Sequence, residues 1–430
     1  MERNIRLSVL LLALILPASV IAEQVYDFEV DGIYYRISEN GKEVSVTYKY
    51  YSNSSHTAYY ESDYTGDVTI PATVKFNDKT FPVTEIGDHA FYQRGSVTSI
   101  TIPGSVTTID WDAFSYCTGL TRVAISDLAA WCNMDIRSNP LEYAQHLYLN
   151  GAEVTDLTIP DGVTAIKNST FQHCTGLTSV TIPDGVTSIG NNAFEDCTSL
   201  TNVSIGNSVT EIGGVAFDGC ISLQNVTLGN ALTIIWESAF EGCTSLTSIM
   251  IPNSVTDIGS NAFRDCTSLS SVSLGNSLRT INVGAFYGCT ALMGIDIPDA
   301  VITVGGRAFY GCSGLTNVSI GNTVSSFGQE VFMNCPSIGK VICKAATPPA
   351  WYGLNMFTAN VCNHAPLHVP AGSERAYMGH EGWGRFLTII GDADDDDPSG
   401  DTDYMKCDVN GDGEVNIADV NTVIDAILNH

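Results

Sequence analysis

Basic side chains are scarce in this sequence. Its 430 residues hold 19 Lys and Arg against 47 Asp and Glu, a formal net charge of −28. Such a chain repels nucleic-acid phosphates and anionic membrane surfaces, which excludes both as partners. The signatures of catalysis are missing too. There is no GxSxG elbow, no glycine-rich phosphate loop, no paired-carboxylate pattern, no HExxH and no CxxC zinc spacing, and the eight His are scattered. A non-enzymatic protein is expected. Long apolar runs are absent with one exception, Leu7–Leu16, which follows Arg3 and Arg6 and leads to "VIA" ending at Ala22. That run is too short to span a bilayer and reads as a signal peptide, residues 1–22. No cysteine stands close behind it, so a lipid anchor is not expected there. The mature chain is expected to be secreted or at the cell surface, with no transmembrane span.

Repetition dominates what is present. Phenylalanines stand at 171, 194, 217, 240, 263, 286, 309 and 332, each 23 residues after the last, and Phe91 and Phe114 keep the same spacing. One unit reads "LTNVSIGNSVTEIGGVAFDGC", residues 200–220. Alternation puts Val203 and Ile205 on the inner face of a short strand, and "IGNS" or "IPDG" turns the chain where the strand must stop. A strand this short buries its apolar face only against its neighbours, so successive coils must stack into a parallel sheet. Starts at Val97, Leu120, Val154, Leu177, Leu200, Leu223, Leu246, Leu269, Leu292, Leu315 and Ile338 give eleven coils. Ala193, Cys197 and Leu200, at i, i+4 and i+7, are expected on one stripe of a one-turn helix, with Phe194 beside them.

The pattern "SVTxIGxxAFxxCTSLTxVxI" resembles the BspA-like surface leucine-rich repeat family. The resemblance implies an α/β-type leucine-rich repeat solenoid of 23-residue coils with short parallel strands and one-turn helices, over residues 85–343. A β-rich N-terminal cap (23–84) precedes it. A C-terminal cap (344–391), an acidic linker (392–405) and a calcium-loop segment (406–430) follow.

Cysteine recurs at 117, 174, 197, 220, 243, 266, 289, 312 and 335, with Arg94 at that station in the first copy. Stacked, parallel side chains on the spread side of a curved solenoid are poorly placed for disulfides, and an odd ladder does not pair completely. Small thiols packed in the core are the expected reading.

One coil is extended: Leu120 to Val154 spans 34 residues, and "DLAAWCNMDIRSNPLEYAQHLYLNG" (127–151) replaces the expected Phe and Cys. It reads as a long coil packed through Trp131 and Leu147, with a contact loop as the sharper alternative. Nine of the 18 tyrosines lie between Tyr26 and Tyr64. They suit strands of a cap, and a ligand-binding tyrosine patch is the alternative. His380 and Glu381 read as a surface pair near Trp383.

In a leucine-rich repeat the outward strand positions line a concave sheet. Here Asn202, Ser204, Asn225, Thr227, Ser248, Ser271, Ser273, Asn317 and Ser319 are the candidate partner-binding residues. They are small, polar and uncharged, and their ladder has no aromatic platform, which favours a broad or multivalent protein contact over sugar stacking there.

The sharpest chemical motif is "DVNGDGEVNIAD", residues 408–419. Asp408, Asn410 and Asp412 supply oxygens at loop positions one, three and five. Gly413 turns the chain, Glu414 offers its carbonyl, Asn416 acts through water, and Asp419 closes a calcium shell. Ile417, Val420, Val423, Ile424 and Ile427 mark a helix after the loop. Asp at the last ligand and a single following helix resemble a dockerin repeat, which implies calcium-dependent attachment to a cohesin. Dockerins carry two such segments, and one is present here. Two functions follow: a secreted adhesion or protein-interaction scaffold, or a non-catalytic component of an extracellular polysaccharide-degrading complex.

Overall fold

In the computed structural model, which describes residues 23–54, 57–353 and 355–392, the repeats stack as a solenoid of coils with two parallel sheets. The broad sheet takes the "LxxVxI" stretches. Ser179–Ile182 pairs Asn202–Ile205, which pairs Asn225–Thr227, always in register 23 residues on. Along Asn202–Ile205 burial alternates, Asn202 and Ser204 out, Val203 and Ile205 in, as period-2 geometry requires. The sheet runs past both ends of the periodic stretch. Gly66–Thr69 pairs Val97–Ile102, and Leu367–Pro370 and Ile389–Asp392 continue it beyond Lys340–Cys343.

Beyond the extended coil the broad sheet is interrupted after Asn225–Thr227 and again after Ser271–Ser273. Each break follows a coil whose last inward residue is Leu (Leu228, Leu274), where the paired coils carry Ile. Val226 and Val272 are half-buried there, unlike Val203. A γ-branched side chain fits the pleated surface less well than a β-branched one.

The narrow sheet was not anticipated. Its strands are only two residues long, yet nine of them run without a break from Ala165–Ile166 through Glu211–Ile212 to Ala350–Trp351. The inward members of the first eight (Ile166, Ile189, Ile212, Ile235, Ile258, Ile281, Val304 and Phe327) are buried, and Trp351 in the ninth is half-buried.

The expected one-turn helices do not form in the regular coils, and this corrects the reading of Ala193, Cys197 and Leu200 as a helical stripe. The Phe-to-Cys segment is a chain of turns whose amides alternate in direction. Phe194 N donates to Ala216 O of the next coil at 2.8 Å, while Cys197 N donates to Phe194 O within its own coil. Two left-handed residues produce the alternation, Asn192 (φ 57°) before each Phe and Asp196 (φ 55°) after it. Most coils put Asn, Ser, Asp or Gly there, residues that tolerate that region. Val215 (φ 60°) does not. Val215→Asn is therefore expected to stabilise the protein by about 1 kcal/mol, read as a higher denaturation midpoint at unchanged m. No change in midpoint would mean the strain is absorbed elsewhere. Among the described residues four short α-helices lie outside the regular coils, at Leu128–Cys132, Leu141–Ala144, Ala359–His364 and Glu374–Met378. Among the described residues no helix is long and apolar enough to cross a membrane.

Behind the turns a phenylalanine stack runs through the regular coils that follow the extended one. From Phe171 to Phe332, and on to Phe357, ring centroids lie 5.1–5.3 Å apart with planes within 10°. Beside it runs the cysteine ladder. The twelve described cysteines are free and buried. Cys197 Sγ donates to Phe171 O at 3.2 Å, and the same bond to the preceding coil recurs at Cys117, Cys220, Cys243, Cys266, Cys289, Cys312 and Cys335. Burial pushes the thiols of Cys117, Cys132 and Cys174 up to about 12, and those of Cys197 and Cys243 well above the ordinary value. These are packing groups, neutral and hydrogen-bonded.

Arg94, at the cysteine station of the first copy, ties the N-terminal cap to the coils. Its guanidinium donates to Ser62 O and Tyr60 O at 2.9 and 2.8 Å. In that cap Tyr34, Tyr35 and Tyr64 are buried, and Tyr64 Oη donates to Thr47 O. The extended coil packs as expected through Trp131 and Leu147, both buried, with Trp131 Nε1 donating to Thr170 O at 2.9 Å. At the other end His380 Nδ1 accepts from the amides of Gly382 and Trp383, closing a turn.

Candidate recognition surface

The outward residues of the broad sheet form one continuous polar face. Asn202, Ser204, Asn225, Thr227, Ser248, Ser271, Ser273 and Asn317 are exposed, and Ser319 is half-buried. Register places them in columns: Asn202 opposite Asn225, Ser204 opposite Thr227, Ser248 opposite Ser271, Asn317 opposite Gly294. Side chains in one column touch across coils, as Asn225 Nδ2 does on Asn202 Oδ1 at 2.9 Å. Met250, 74 % exposed, stands among them. Toward the C-terminal end a shallow cleft of about 430 Å³ is lined by Asp296, Asn317, Ser319, Lys340 and Ile342. Lys344 lies 3.7 Å from Asp296 beside it. Such a face offers hydroxyl and amide donors and acceptors at the coil period, with no nucleophile and base brought together.

Sequence reasoning missed one pair on the same sheet. In the extended coil Arg122 lies over the Tyr148 ring at 4.4 Å, and its Nε is buried with no hydrogen-bond partner. The extra residues of that coil bring Tyr148 into the column next to Ala124. The 23-residue period therefore gave no reason to align the two.

The calcium-loop residues Asp408, Asn410, Asp412, Glu414, Asn416 and Asp419 lie outside the described residues. Among the described residues no group of three His, Cys, Asp or Glu could hold a metal ion.

One acidic group on the turn face is perturbed. Burial, then Glu241, Glu195 and Asp196, raise Asp218 from 3.8 to about 6. A carboxyl whose folded value is raised binds its proton more tightly in the folded state, so stability falls as pH rises from about 4 to about 6. Asp218→Asn is expected to add about 1 kcal/mol at pH 7, discounted for partial exposure, and nothing at pH 4. Equal melting temperatures of variant and parent at pH 7 would refute it.

Two parallel sheets, stacked 23-residue coils and an inner ladder of Leu, Ile, Phe and Cys define a leucine-rich repeat solenoid. The family model described as "BspA type Leucine rich repeat region" matches in six copies over residues 67–132, 143–270 and 233–347, more than half of the sequence. The chain belongs to the BspA type leucine-rich repeat family. Among solved structures it is similar to a leucine-rich repeat protein from Bacteroides ovatus. Identity is 24 %, covering 85 % of this chain and 82 % of that one, with a TM-score of 0.51. It is also similar to a leucine rich cell surface protein from Faecalibacterium prausnitzii, at 25 % identity over 87 % of this chain and 95 % of that one, TM-score 0.46. Comparison with curated proteins finds no match. No enzyme family is indicated.

Proposed function

We propose that the protein is an exported, non-catalytic adhesion or protein-interaction scaffold, in which the broad sheet contacts a partner and the C-terminal segment attaches the chain through calcium. The observation that carries the reading is the outward face of the broad sheet, a ladder of short polar side chains from Asn202 to Ser319 on a rigid stacked core. Such a face suits an extended protein partner, with many individually weak contacts summing along the array. The leader at residues 1–22 and the acidic surface support a place outside the cytoplasm.

The dockerin-like loop favours a second reading, a non-catalytic component of an extracellular polysaccharide-degrading complex recruited by a cohesin. A capture experiment from the organism's own surface and secreted proteins separates the two. It compares the mature chain with a version ending at Asp392, each with calcium and with chelator. Partners kept by the shortened chain, and lost when Ser248 and Ser271 are both changed to Lys, support the scaffold. Partners that require both calcium and the tail support cohesin docking. Partners unaffected by every change would overturn both. Asp412→Ala is the matching control for calcium, because it removes one ligand of the shell.

A further inference from the structure

The narrow sheet borders a second cleft, separate from the broad sheet. The column that follows the inward residue of each strand reads Lys167, Gly190, Gly213, Trp236 and Gly259 along successive coils. Two glycines thus leave a trough between Lys167 and Trp236, three coils or about 14 Å long. The glycines are set by coil packing: a Cβ on Gly213 would lie 2.6 Å from the Gly190 carbonyl carbon and 2.7 Å from Asn191 N. The trough continues toward the extended coil. There Asp135–Ile136 pairs only with Thr108–Ile109, and the next narrow sheet begins afresh at Ala165–Ile166. The result is an open cleft of about 620 Å³.

The groups lining it are few and specific. Trp236, 42 % exposed, reaches back one coil, its Nε1 donating to Glu211 Oε2 at 3.1 Å. That bond fixes the indole as one end wall. Asn168 and Asn191 each engage their Oδ1 with the next coil, on Asn191 N at 2.9 Å and Gly214 N at 2.8 Å. Each amide NH2 is thereby left as a free donor in the cleft. The Glu237 carboxylate lies over Gly214, and neither it nor Lys167 forms an ion pair among the described residues.

We propose that this trough binds a neutral oligosaccharide, with one ring stacked on Trp236 and its hydroxyls held by the Asn168 and Asn191 amides and the Glu237 carboxylate. An aromatic face beside mixed donors and acceptors matches a ring with an apolar face and hydroxyl edges. Other occupants fit less well. Asp135, Glu211 and Glu237 outnumber Lys167 in the lining and oppose an acidic sugar, while a basic side chain, which only donates, leaves the Asn168 and Asn191 amide donors unpaired. The length fits two to three rings.

The test is calorimetric titration of the full chain with glucose-, mannose-, galactose- and N-acetylglucosamine-based trisaccharides, alongside a uronate trisaccharide and a lysine-rich peptide. At least one neutral trisaccharide should bind. Trp236→Ala should weaken it about tenfold and Glu237→Gln about threefold, with Trp111→Ala, at the other exposed tryptophan, without effect. Trp236→Phe, with a melting curve on each variant, separates loss of the wall from loss of fold. The Ser248 and Ser271 changes should leave the titration untouched, which keeps this site distinct from the broad sheet. The proposal is overturned if none of the four neutral sugars binds at about 10 mM, if Trp236→Ala binds as the parent does, or if only the uronate or the peptide binds.

Discussion

Replacing Phe217 with alanine is expected to cost about 3–5 kcal/mol. Phe217 is buried and stacks on Phe194 at 5.1 Å and on Phe240 at 5.2 Å, with planes 3° and 5° apart. Truncation removes contacts on both sides and leaves a cavity that neither neighbour can fill. Each is held in turn by bonds to the coil that follows it: Phe194 N donates to Ala216 O and Phe240 N to Ala262 O, while Phe194 O and Phe240 O accept from Cys220 Sγ and Cys266 Sγ. The loss should show first as hydrogen exchange in the coils on either side of residue 217, and then as a lower denaturant midpoint. Phe217→Leu keeps most of the volume and should cost under about 1.5 kcal/mol. A loss below about 1 kcal/mol for the alanine variant would show that the stack contributes little beyond its neighbours.

Gly229→Ala should cost about 3 kcal/mol, although it adds one methyl group. An ideal Cβ there would collide with the Gly206 carbonyl oxygen and lie 2.7 Å from its carbon and 2.9 Å from Asn207 Cα. Every obstacle is backbone of the preceding coil, so no side chain can swing aside; the coils themselves must separate. Gly185→Ala is the internal comparison. Its added Cβ meets only Val163 O at 4.0 Å, and the change should stay within about 0.5 kcal/mol of the parent. Thermal melts of the two variants decide it. Equal melting temperatures would mean that coil spacing is softer than the contacts imply.

These two expectations show what the period reveals and what it hides. Val203, Ile205 and Phe217 announce themselves, because strand alternation and a fixed 23-residue return both leave apolar residues at set places. Ile212 also recurs, yet a two-residue strand has no alternation to read, so the narrow sheet stayed hidden. Ala193, Cys197 and Leu200 keep the spacing of a helical face while the chain between them passes through Asp196 at φ 55°. Spacing alone does not distinguish the two, because both return a side chain to the same side. The trough was legible only as a break in a pattern. Trp236, in "IIWES", stands in a column where Gly190, Gly213, Gly259, Gly305 and Gly328 are the rule. The outward ladder of the broad sheet was legible from its small polar residues. Arg122 and Tyr148 were not, because the extended coil shifts their register.

That coil has a consequence for cooperativity. Between residues 120 and 153 the narrow sheet ends, the broad sheet turns back in the antiparallel pair Leu147–Leu149 and Ala152–Glu153, and the Phe91–Phe114 stack stops short of Phe171. Trp131, bonded to Thr170 O, and Asn139, bonded to Ser169 O, bridge the seam. In an array where each coil feels only its neighbours, coupling across this seam is weaker than across any regular junction. Denaturant should therefore melt the molecule as two blocks meeting near residue 150, each losing its structure as a unit.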